Sequence, residues 1–97
     1  MTRQEYLLTV MAEECNEVAQ RCTKALRFGL NEVQPGQDAT NADRIMLEYM
    51  DLIAIYQLLK EEGHLSCSQE WGERIAAKKK KVEQFYDYSR TLGVLHE

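Results

Sequence analysis

Acid placed inside apolar helical patterns constrains this chain more than any other feature. Glu13-Glu14-Cys15-Asn16-Glu17 and Glu48-Tyr49-Met50-Asp51 both sit in stretches whose apolar residues recur at three-to-four spacing. A helix turns about 100° per residue, so Glu14 and Glu17 leave one side of their helix, as do Glu48 and Asp51. Each segment therefore offers a pair of carboxylates. An ionised carboxylate in apolar surroundings is costly unless it is paired, and two such pairs facing one another require a counter-charge.

On the first helix Val10, Glu14, Glu17, Arg21, Lys24 and Phe28 share a face. Beside it Met11, Cys15, Val18, Cys22, Ala25 and Leu26 read as the core, with Cys15 and Cys22 as small apolar fillers. On the second, Ile45, Leu52, Ile55 and Leu59 share the face of Glu48 and Asp51, and the remaining circumference is also apolar, which predicts a helix buried on most sides. Arg21, one turn after Glu17, reads as its helical ion-pair partner, but one guanidinium does not balance four acids. Four carboxylates on two facing helices make a hard-oxygen donor set, suited to Mg²⁺ or Mn²⁺. Di-iron chemistry calls for Glu-x-x-His pairs, and neither segment has a His three residues after a Glu.

The helix limits follow from capping chemistry. Thr2 with Glu5, and Thr40 with Asp43, have capping-box spacing, while Gly29 and Gly63 supply stops. Ser66 with Gln69 suggests a third start, so helices are expected over about 3–28, 41–62 and 67–90, with Pro35-Gly36 inside a long first loop and a tail, 91–97, that is frayed or docked on a partner. There is no alternating strand pattern. The fold class is all-α: one domain over 1–97, an antiparallel helical bundle that a chain of 97 residues completes by homo-oligomerisation, as dimer or tetramer.

A net charge of −4 without a long charged tail argues against nucleic acid as a partner. Lys78 to Lys81 spans about one helical turn and reads as a solvated face. No apolar run approaches the roughly 20 residues of a membrane span, and no basic-then-apolar leader opens the sequence, so a cytoplasmic location is expected.

The two acidic segments together resemble the signature of the MazG-like, all-α nucleoside triphosphate pyrophosphohydrolases, E-E-x-x-E on one helix and E-x-x-D on the next, here Glu13, Glu14 and Glu17, then Glu48 and Asp51. The resemblance covers the first two helices. It implies Mg²⁺-dependent cleavage of a (deoxy)nucleoside triphosphate to monophosphate and pyrophosphate, in nucleotide-pool control or house-cleaning. Glu14, Glu17, Glu48 and Asp51 would hold metal and serve catalysis, with Glu17 as proton acceptor and Glu13 at the edge. Lys24, Arg27, Arg44 and Asn41 are the candidates for binding the substrate's phosphates. The alternative is a non-catalytic, dimeric helical module that binds partners through its apolar second helix and leaves the acids unexplained.

Overall fold

The computed structural model describes residues 1–96 and contains three helices, α1 (Arg3–Phe28), α2 (Asn41–Glu61) and α3 (Trp71–Thr91), with no strand among the described residues. The all-α expectation holds. The chain divides into two compact units, Met1–Ser66 with α1 and α2, and a second from Cys67 onward with α3. The tail expectation extends to Glu97, which lies outside the described residues.

Local chemistry sets both ends of α1 and the start of α2 as expected. The Thr2 hydroxyl accepts from the Glu5 backbone N–H at 3.1 Å and donates to the Glu5 carboxylate, and Thr40 accepts from the Asp43 N–H at 3.1 Å. Gly29 ends α1 with φ +97°, a backbone that L side chains rarely adopt, and its N–H returns to the Ala25 carbonyl. α2 ends at Glu61, one residue before the expected limit.

α1 and α2 form an antiparallel hairpin whose two ends are fixed by polar contacts. Arg3 forks onto the Glu62 carboxylate at 2.9 to 3.2 Å, tying the start of α1 to the end of α2. At the other end Asn41, 1% exposed, donates through Nδ2 to the Gly29 carbonyl (2.8 Å) and to Glu32 Oε1 (3.1 Å). The loop also supplies acceptors to the first backbone donors of α2: Asn41 N–H to the Glu32 carbonyl, Ala42 N–H to that of Leu30. That end of α2 is therefore already capped, and its amides are not free to receive an anion.

The seam between the helices follows a heptad on each side. On α1 it runs Leu7, Met11, Glu14, Val18, Arg21, Ala25, and on α2 Asn41, Ile45, Glu48, Leu52, Ile55, Leu59, all buried or half-buried. This corrects the core face expected for α1. Cys15, Cys22 and Leu26 are exposed, Leu26 at 85%, while Glu14 and Arg21 occupy seam positions. Met11, Val18 and Ala25 lie in the seam as expected, and the inward face is rotated by about 50°, half a residue, toward the charged side chains.

The second correction concerns α2, which one chain does not bury on most sides: Met46, Leu47, Tyr49 and Met50 are each about half exposed. Helical geometry sorts the rest of the hairpin into two opposite faces. One carries Glu17 and Lys24 of α1 with Arg44 and Asp51 of α2. The other carries Leu8, Cys15, Cys22 and Leu26 with Met46 and Tyr49. An open groove of about 340 Å³ on the apolar face is lined by Cys22, Ala25, Leu26, Leu30 and Ile45.

α3 starts at Trp71, four residues later than expected, because the Glu70 carboxylate takes the cap, accepting from the N–H groups of Gly72 (2.8 Å) and Glu73 (2.7 Å). These bonds hold its carboxyl below the usual carboxylate range. Lys78 to Lys81 are exposed, as expected, and no residue of α3 is buried.

The Asn41 clamp yields a first prediction. Asn41→Ala leaves the Gly29 carbonyl without its side-chain donor, and a chemical-denaturation midpoint is expected to fall by the equivalent of about 2 kcal/mol. An unchanged midpoint would show that backbone contacts alone hold the loop.

Candidate functional site

Midway along the hairpin, α1 and α2 bring three carboxylates together. One oxygen each from Glu14, Glu48 and Asp51 lies within 4.8 Å of the others. The convergence follows from the seam: Glu14 points across it, Glu48 occupies the facing helix's seam, and Asp51, one turn on, flanks it. Glu14 and Glu48 are half-buried and Asp51 is exposed, so the cluster opens to solvent on the polar face.

The electrostatics of the cluster are unfavourable as they stand. Two unit charges this close repel by about 1 kcal/mol in water and about 3 kcal/mol at the effective dielectric near a protein surface. Glu14 carries the consequence: desolvation, then the charges of Asp51, Glu48, Glu17 and Glu13, push its carboxyl above the usual range. Its Oε2 is sealed from solvent with no hydrogen-bond partner among the described residues. An orphaned carboxylate oxygen beside two further carboxylates fits a divalent hard cation by donor type.

Glu17, one turn beyond Glu14, is half-buried and close enough to act on the Glu14 carboxyl, but it is not among the three that converge. Glu13 is exposed and turned away, as its 100° offset predicts. The ion pair expected between Arg21 and Glu17 is not formed. Arg21 is 9% exposed, and its Nε and Nη1 are buried without partners among the described residues. The seam draws the guanidinium inward, away from the helix surface where an i, i+4 pair would form.

The candidate phosphate ligands have different surroundings. Lys24 is half-buried on the polar face. Arg44 is half-buried too, and its Nη1 donates to Gln34 Oε1 at 2.6 Å. Arg27 is exposed, its guanidinium 4.8 Å from the centre of the Phe28 ring. Asn41 has both amide donors engaged in the loop clamp, and its buried Oδ1 has no partner among the described residues. The environment of Arg21 is the feature that the sequence reading missed; its place in a heptad with Leu7, Glu14 and Ala25 was the available signal.

Compared with protein families, with curated proteins and with solved structures, the chain finds no match.

The raised Glu14 pKa sets a pH dependence. The folded state binds this proton more tightly than the unfolded chain, so the associated stability is complete below the unfolded carboxylate range and is lost as pH rises through the folded value. Metal-free protein is therefore expected to gain thermal stability on mild acidification from neutral pH. Glu14→Gln is expected to melt higher than wild type at neutral pH and to flatten that dependence. A variant that melts lower would identify Glu14 as the holder of a structural contact.

Proposed function

We propose that this protein is a Mg²⁺-dependent nucleoside triphosphate pyrophosphohydrolase that cleaves a (deoxy)nucleoside triphosphate to the monophosphate and pyrophosphate. The observation that carries the reading is the convergence of Glu14, Glu48 and Asp51 to within 4.8 Å, at the edge of a seam where unneutralised acid is costly. The resemblance of the two acidic segments to the MazG-like signature supplies the reaction class.

Glu14, Glu48 and Asp51 are the residues that hold the ion, and Mn²⁺ suits the same oxygens. When bound, the divalent cation supplies neutralisation of the triphosphate oxygens and activation of the attacking water. Glu17, beside the three and not among them, accepts the proton as water attacks the α-phosphorus. Asp51, being exposed, lies on the side from which substrate enters. Lys24 and Arg44, on the same face, neutralise the departing charge.

In this reading, purified protein with Mg²⁺ releases pyrophosphate, not orthophosphate, from at least one member of a nucleoside triphosphate panel that includes modified bases. Asp51→Asn and Glu17→Gln lower turnover by roughly a hundredfold or more while the fold is retained. A panel without any product favours the interaction module instead.

The exposed apolar face favours self-association as part of the same reading. Leu8, Cys15, Cys22, Leu26, Met46 and Tyr49 stand exposed on the side of the hairpin opposite the acids. Copies of the chain pair there to complete a bundle without covering the site. Sedimentation is expected to report a dimer or larger assembly, and a stable monomer at micromolar concentration contradicts it.

A further inference from the structure

The state of Arg21 is not explained by packing. A guanidinium stays charged at any ordinary pH and carries five donors. Burying it unpaired is strongly unfavourable. Yet Arg21 is 91% buried in the α1/α2 seam, and Nε and Nη1 lack a partner among the described residues, although Glu17 is one turn away on the same helix. An apolar side chain at that heptad position would pack at lower free energy, so stability alone does not account for an arginine there.

Its position along the hairpin suggests what the charge is for. Counting from Glu14, Arg21 lies about 10 Å toward the loop end of α1, at the edge of the seam that borders the polar face. Lys24 follows one turn on, and Arg44 stands at the same end of α2. The face thus changes sign along its length, from the carboxylates at its centre to cations at its loop end. A ligand matching both parts is a polyanion, bridged to the acids by a divalent cation at one end and gripped by cations at the other.

We propose that Arg21 turns out of the seam when substrate binds and grips the pyrophosphate portion of the triphosphate with its guanidinium fork. This rests on the pyrophosphohydrolase reading and adds to it a binding residue and a ligand polarity. The leaving pyrophosphate carries most of the substrate's negative charge, and the loop end is where the face carries positive charge. A bidentate guanidinium contact suits phosphate oxygens, and relief of the unpaired state in the free protein adds to the gain on binding.

The test uses full-length wild type, Arg21→Met and Arg21→Lys, each titrated calorimetrically in Mg²⁺ with inorganic tripolyphosphate and separately with a nucleoside monophosphate. Ligand-free thermal melts accompany the titrations. Arg21→Met is expected to weaken tripolyphosphate binding roughly tenfold to a hundredfold, the worth of a charge-assisted contact. Monophosphate binding is expected to stay within about twofold, and the ligand-free melting temperature to rise because an unpaired buried charge has gone. Arg21→Lys, which keeps the charge and loses the fork, is expected to fall between.

Equal tripolyphosphate affinity in Arg21→Met and wild type overturns the inference alone. So does a lower ligand-free melting temperature or failure of Arg21→Met to fold, which would reveal a structural partner, in another copy if the loss depends on protein concentration. Unaltered tripolyphosphate binding in Arg21→Lys counts against the fork. Wild-type protein that binds neither ligand overturns the pyrophosphohydrolase reading and this inference with it.

Discussion

Charge in the seam of an antiparallel helix pair is the constraint on which the rest of the hairpin depends. Glu14, Glu48 and Arg21 hold heptad positions that apolar residues would fill at lower free energy. The apolar side chains the pair does bury are few: Leu7, Ala25 and Leu59 are the fully buried hydrophobic residues among those described. Polar contacts at the two ends hold the helices where burial is thin. Arg3 on Glu62 closes one end, and Asn41 with the loop carbonyls closes the other.

With the ends held, the middle of the seam carries charge in place of apolar side chains. Carboxylates from two helices approach within 4.8 Å because the backbones that carry them are fixed elsewhere, and the repulsion among them appears in the raised Glu14 carboxyl. By donor type such a cluster matches a divalent hard cation, the ion proposed for it. The two faces of the hairpin divide the remaining demands: polar groups gather on the side where the acids open, and apolar groups on the opposite side. The surfaces proposed for self-association and for a phosphorylated ligand thus lie on opposite sides of the hairpin.

Much of this was legible in the residues. Thr2 with Glu5, Thr40 with Asp43, and Gly29 are local signals whose chemistry acts within one helical turn, and the structure places the ends of α1 and the start of α2 there. The start of α3 was not, because Ser66 and Glu70 both offer capping oxygens and local spacing does not rank them; Glu70 takes two backbone donors in the structure. The spacing Glu14–Glu17 and Glu48–Asp51 indicated two carboxylate pairs. It did not indicate that Glu14 joins both α2 acids while Glu17 stands aside.

The sequence by itself determined that the chain is helical, where α1 begins and ends, where α2 begins, and which acids share a helix face, since periodicity and caps are short-range properties of the backbone. Only the tertiary structure decided which face of α1 turns inward. A rotation of about 50° separates a stripe that adds Cys15, Cys22 and Leu26 to Met11, Val18 and Ala25 from one that adds Leu7, Glu14 and Arg21 to them, and hydrophobicity alone favours the first. The loop clamp at Asn41 and the Arg3–Glu62 contact join the two ends of the hairpin with the second stripe turned inward. That phase, set by contacts between residues far apart in the chain, places the acids in the seam and buries a guanidinium without its helical partner.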